Sequence, residues 1–216
     1  MSIPRRTLLD RRTNVRDAAI FYIATEDTHA ADQYFRALQQ NGLVDRSRVQ
    51  VVVLPTDQGQ SAPRWLVDRL DEHRAKLDSL LPQDQFWLLP DIDHHRDKEL
   101  SEVAARASQK GYLLAASNPC FEVWLLLHET DDLSEIQTYE EHTRAAAACA
   151  QKLHHLIGRY DKNRLDPSRY TEQTLAAAEA RSSVRDSGDR WPLDAGSHVH
   201  RLTKTLPKPR RAGGGS

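Results

Sequence analysis

Four short apolar runs separated by amphipathic segments organise the first 130 residues. "AAIFYIAT" (18–25), "RVQVVVLP" (48–55), "QFWLLPD" (85–91) and "YLLAAS" (112–117) are rich in β-formers and apolar on alternate as well as adjacent positions. Between them lie segments with helical spacing. "AADQYFRALQQNG" repeats Ala31, Tyr34, Phe35 and Leu38 and stops at Gly42. "APRWLVDRLDEHRAKLDSLLP" carries Leu66, Leu70, His73, Leu77 and Leu80 on one stripe, which predicts a helix along that whole stretch. "RDKELSEVAARASQKG" also ends on glycine, and "PCFEVWLLLHE" opens with Pro119 where a helix tolerates it best, in the first turn. Strands that are apolar on both faces and alternate with helices predict an α/β fold: a four-stranded parallel sheet covered on both sides. Beyond Glu129 the pattern is helical only, roughly Tyr139–Ile157, Thr171–Arg185 and His198–Leu206. The expected organisation is a domain at 18–130, a helical annex at 131–210 and a flexible tail or linker at 211–216.

The 216 residues suffice for one such domain with its annex. Hydrophobic residues make up 39% and charged residues 28%, an ordinary balance for a globular chain. A net charge of −1 gives no global attraction to polyanions. The ends are basic, however: Arg5, Arg6, Arg11, Arg12 and Arg16 at one, and Lys204, Lys208, Arg210 and Arg211 at the other. Local phosphate binding and simple solvation of the tails both account for that. Two cysteines, Cys120 and Cys149, outside any Cys-x-x-Cys pair argue against a disulfide framework and suit a reducing cytoplasm. No apolar run approaches bilayer length and no signal-peptide core follows the first arginines, so no membrane partner is expected.

Chemistry concentrates where the strands end. In an open parallel sheet, ligands gather beyond the carboxyl ends of the strands. The first strand delivers Glu26 and Asp27, the third delivers Asp91, Asp93 and His95, and the fourth delivers Asn118 with Glu122 a turn later. At the end of an extended segment, Asp91 and Asp93 point the same way. Carboxylates held together repel one another unless a cation intervenes, and oxygen-only ligation suits Mg²⁺ or Mn²⁺. The plainer reading is that Asp93 caps the next helix and that Glu26 and Asp27 decorate a loop; spacing alone leaves both open. His94–His95 and His154–His155 argue little for zinc, because adjacent histidines point apart. His95 is better read as a group that touches substrate or supports the ligands. Trp124, Leu125 and Leu126 read as helix core, Cys120 as a small buried hydrophobe, and Trp65 and Trp191 as core or interface rather than stacking platforms.

"ATEDT…YF", "DIDHH", "SNPCFEVWLLLH" and the late "GSHVHRL" (196–202) occur in this order and together resemble the RloB family, over about residues 20–206. That family is similar to Toprim-domain proteins. The resemblance implies that Glu26 is the Toprim glutamate and that Asp91 and Asp93 are its Asp-x-Asp pair, together holding Mg²⁺ or Mn²⁺. It also implies roles for Asn118, Glu122 and His200. The sequence departs from the pattern after Glu26, with Asp27 for the usual glycine, Thr28 for an acidic residue and Ala31 for a second one. Asp27 offers a replacement oxygen. The implied activity is a metal-dependent nuclease acting on DNA or RNA, tRNA included, in antiviral defence, typically beside an ATPase partner. In it Glu26 doubles as general base, and His95 or His200 protonates the leaving group. The competing class is a non-catalytic adaptor of an ATPase-containing complex, for which three convergent carboxylates have no obvious use.

Overall fold

A computed structural model describes residues 18–26, 28–56, 62–92, 97–137 and 142–209. It is an α/β fold. β1 (Ala19–Thr25), β2 (Val49–Val53), β3 (Gln85–Leu89) and β4 (Leu113–Leu114) form an all-parallel sheet in the order β2-β1-β3-β4. α1 (Thr28–Gln40), α2 (Pro63–Ala75) and α3 (Asp97–Lys110) are the crossovers. The period of two in β1 sorts its side chains between two cores. Phe21 and Ile23 join Tyr34, Phe35 and Leu38 of α1 on one face. Tyr22 and Ala24 join Leu66 and Leu70 of α2 and Val103 of α3 on the other. Burial on both faces is why these strands read as continuous apolar runs.

The edge at β2 is blunted by its own surroundings. The Val49 N–H donates to the Asp45 carbonyl at 3.0 Å, and the Val51 N–H to Gln39 Oε1 at 3.3 Å. Two of the outward-facing donors that another strand would pair with are thus already used.

Three local expectations are corrected. α2 ends at Ala75, not near Leu80, and Leu80 is exposed. The reason lies in Asp84, whose carboxylate accepts the Ile20 N–H at 2.7 Å and the Leu81 N–H at 2.8 Å. That carboxylate folds 81–84 into a turn feeding β3, which a longer helix would prevent. The fourth strand is divided: after β4, residues Ser117–Asn118 form β5, antiparallel to β6 (Gly196–Ser197). Pro119 lies in the strand-end loop rather than a first helical turn. Its carbonyl accepts the Ile92 N–H at 2.8 Å, and α4 begins only at Glu122 and runs to Glu129.

After α4 come α5 (Ser134–Gln137), α6 (His142–Ile157), a 3-10 turn at Pro167–Arg169, α7 (Glu172–Val184) and α8 (Val199–Thr203). These helices share the main core: Cys149 and Leu153 of α6, Leu175 and Ala178 of α7 and Leu202 of α8 belong to one cluster with Phe21 and Trp124. α7 starts at a capping box, in which Thr171 Oγ1 accepts the Thr174 N–H at 3.2 Å and Thr174 Oγ1 accepts the Thr171 N–H at 2.9 Å. Thr171→Ala is therefore expected to cost about 1 kcal/mol, read as a lower midpoint in urea unfolding with unchanged slope. An unchanged midpoint would mean that packing alone fixes that helix start.

Candidate functional site

Parallel register brings the first two acidic residues together. Thr25 lies opposite Leu89, so Glu26 and Asp91 leave neighbouring strands at the same end of the sheet. The Asp91 N–H donates to Glu26 Oε1 at 3.0 Å, and both residues are half-buried. Behind them, Arg69 of α2 donates to the Thr25 carbonyl at 2.9 Å and to Thr56 Oγ1 at 3.1 Å. Thr56 Oγ1 in turn donates to the Thr25 carbonyl at 3.1 Å. These bonds fix the backbone from which the Glu26 side chain departs. On the other side, Asp91 bridges to Ser117, and the Ile92 N–H donates to the Ser117 carbonyl at 3.0 Å.

Asp27, Asp93 and His95 lie outside the described residues. Among the described residues, no group of three His, Cys, Asp or Glu side chains gathers at metal-holding spacing. The donors present at the strand ends are carboxylate oxygens, the hard ligands that Mg²⁺ and Mn²⁺ take. Glu26 and Asp91 fit such an ion, with Asp93 as the expected third ligand. The N–H donated by Asp91 orients the Glu26 carboxylate toward the strand that carries Asp91.

The other residues of the sequence motifs are fastened nearby. Asn118 Nδ2 donates to the carbonyls of Pro192 at 3.1 Å and Leu193 at 3.0 Å, so its side chain anchors the 189–193 loop. Glu122 opens α4 and accepts the Tyr160 hydroxyl at 2.7 Å. His200 is buried, with Nδ1 3.0 Å from Ser182 Oγ and 3.2 Å from the Ser197 carbonyl. Its Nε2 lies 3.1 Å from Asp186 Oδ2. Both ring nitrogens are thus engaged by α7, β6 and the loop between them. Lys204 and Lys208 of the basic C-terminal end bond to Ser183 Oγ at 2.5 Å and Glu179 Oε2 at 3.5 Å. His154 and His155 are exposed on α6.

Asp186 escaped the sequence reading. It receives Arg201 through Nε at 2.8 Å and Nη2 at 2.5 Å, faces His198 Nε2 at 3.5 Å, and accepts the Gly188 N–H at 2.9 Å. The Arg201 bond holds the Asp186 carboxyl well below the usual carboxylate range. Burial pushes His198 down to about 4 and lowers His200 as well. This hub locks α8 to α7. α8 reaches the site because the Ser197 and Ser117 hydroxyls lie 2.9 Å apart and the His198 N–H donates to the Ala116 carbonyl at 2.8 Å. The signal available was one aspartate upstream of "HVHR", but "VRDSGD" reads as a turn. Hydrogen bonding to Cys149 and burial raise the Cys120 thiol well above the usual range, which disfavours its thiolate.

The family description "RloB-like protein" matches residues 21–206, most of the chain. The chain belongs to the RloB-like family. No curated protein and no solved structure matches it. RloB-like membership spans both the sheet and the helices after Glu129, so the clasp by α8 and the carboxylates at the strand ends fall within one family unit. Among the described residues, no helix is long and apolar enough to cross a membrane.

Proposed function

We propose that this RloB-like chain is a Mg²⁺- or Mn²⁺-dependent nuclease that hydrolyses phosphodiesters of DNA or RNA, tRNA included, as the effector of an antiviral defence system with an ATPase partner. One observation carries the reading: the Asp91 amide holds the Glu26 carboxylate at 3.0 Å, joining the two expected ligand positions at one end of the sheet. Parallel pairing of β1 with β3 delivers two half-buried acidic residues to the same end of the sheet, where a divalent cation would offset the repulsion of their carboxylates.

Glu26, Asp91 and Asp93 would hold the ion, which when bound supplies Lewis-acid stabilisation of the phosphoryl oxygens and a more acidic water. Glu26, oriented by the Asp91 N–H, is placed to take a proton from the attacking water. Direct attack by water is the simplest route, since the buried Cys120 thiol is held protonated. His200 acts on this site through position: with both ring nitrogens engaged, it sets α8 and β6 against the Ser117 segment that pairs with Asp91. Proton donation to the leaving group is left to His95.

Metal titration tests the reading. Mn²⁺ or Mg²⁺ is expected to raise the melting temperature in proportion to occupancy, by mass action on the folded state. Glu26→Gln, which keeps an acceptor for the Asp91 amide, should lose most of that rise. A wild-type melt indifferent to both ions at millimolar concentration, with no cleavage of DNA, total RNA or tRNA, would favour an adaptor role.

A further inference from the structure

The loop from Gly158 to Tyr170 is solvent-exposed at its tip yet unusually well tied down. Gln33 of α1 grips it from both sides: Nε2 donates to the Lys162 carbonyl at 2.8 Å and Oε1 accepts the Leu165 N–H at 2.8 Å. Asn41, at the far end of α1, donates to the carbonyls of Pro167 at 2.7 Å and Tyr170 at 2.8 Å. Tyr160 ties the same loop to Glu122. A crevice of about 470 Å³ opens along it, lined by Arg159, Asp161, Arg164, Asp166 and Arg169 among others.

The charges in that crevice are unequally occupied. Asp161 and Asp166 cap their own turns, accepting the N–H groups of Asn163 at 2.9 Å and Ser168 at 3.0 Å, which fixes their oxygens on the backbone without cancelling their charge. Arg169 is held by Glu129 through two bonds of 3.0 and 2.9 Å. Arg159 and Arg164 are exposed, and among the described residues neither makes an ion pair. The loop therefore presents two available guanidinium groups on a backbone that is already ordered, so little entropy is lost when an anion binds. Planar guanidiniums match phosphate oxygens in geometry as well as charge. The loop is tied to both segments that leave the acidic strand ends: Gln33 belongs to α1, which follows Glu26, and Tyr160 bonds Glu122 at the start of α4, which follows the Ser117 bridged to Asp91.

We propose that Arg159 and Arg164 form a phosphate-backbone track that seats a nucleic-acid strand leading to the Glu26–Asp91 site. The assignment rests on the nuclease reading for its substrate class, and on the unpaired guanidiniums for its place. The track contacts backbone rather than bases, so it adds affinity without sequence preference. Its position on the helical annex gives that half of the chain a share in substrate binding.

Binding measured without catalysis separates the possibilities. Anisotropy of labelled single strands of about 20 nucleotides, DNA and RNA alike, is followed in EDTA from about 50 to 200 mM salt. Arg159→Ala/Arg164→Ala is expected to weaken binding by about 10-fold at the lowest salt and to lower the log–log salt slope by roughly 1.4, two contacts at about 0.7 each. The double variant should keep the wild-type melting temperature and its metal-induced rise, since both side chains are exposed and neither is an expected metal ligand. If wild type binds strands and the variant binds them equally, the track is overturned while the nuclease reading stands. If wild type binds no strand, yet still cleaves or responds to metal, the track is overturned as well. Two further results would replace it: inorganic phosphate competing at low millimolar concentration without any strand binding marks a free-phosphate site, and arginine-dependent binding of poly-glutamate alone marks a protein interface.

Discussion

Asp91→Asn is expected to lower metal-dependent cleavage by at least about 100-fold, equivalent to some 2.7 kcal/mol of transition-state stabilisation. The substitution is nearly isosteric and leaves the backbone N–H that Glu26 accepts, so the strand end should keep its shape. What changes is charge. An amide oxygen binds a hard divalent cation far less well than a carboxylate, so occupancy falls and with it the acidity of the attacking water. Asp93→Ala should behave alike if it is the third ligand. Without metal, both variants should melt at or slightly above the wild-type temperature, because removing one carboxylate relieves repulsion within the group. Loss of stability comparable with a core mutation would point to a scaffolding role. Wild-type cleavage and an unchanged metal response would remove Asp91 from the ligand set altogether.

The sheet was legible because its strands are buried on both faces, as the alternation of Phe21 and Ile23 with Tyr22 and Ala24 between two cores makes plain. Where a local pattern was overridden, the cause lay far along the chain. "YLLAAS" reads as one strand, but Ser117 and Asn118 pair with Ser197 and Gly196, some 80 residues later, and no periodicity near 117 reports that. The early stop of α2 depends on Asp84 serving Ile20 across 64 residues. The candidate site divides the same way. Glu26 and Asp91 announce themselves as acidic residues after apolar runs, and parallel pairing does the rest. His200 carried a motif but not its partner: Asp186 sits in a polar turn and becomes a hub only once α8 folds back on α7.

Acid should destabilise this fold well before its carboxylates titrate, and buried histidines are the reason. His128 of α4 is enclosed by Tyr34, Trp124 and Tyr170, with its Nε2 3.2 Å from the Tyr34 hydroxyl. Burial first, and the Arg181 guanidinium second, push its pKa down to about 3. His198 is pushed down to about 4 by burial and then by Arg201, against the opposing pull of Asp186. In the unfolded chain both would titrate near about 6.5. Between that value and their folded pKa values, the unfolded state therefore binds more protons than the native one, so stability falls as pH falls. Each such histidine contributes a slope of up to about 1.4 kcal/mol per pH unit across its window. Asp186 acts lower: its depressed carboxyl contributes stability present above about pH 4, lost only as acid reaches the carboxylate range. Unfolding free energies from urea titrations between pH 7 and 4 should thus decline steeply from about pH 6.5 onward, by several kcal/mol in all. His128→Phe keeps an aromatic ring in the cluster and removes the titration. It should lower stability at pH 7, because the Tyr34 hydroxyl loses its partner, yet flatten the pH dependence by about the slope of one group. A wild-type profile flat between pH 7 and 5, or a variant whose slope matches wild type, would show that His128 takes up its proton in the native state at ordinary pH and that the α1–α4–α7 core admits water.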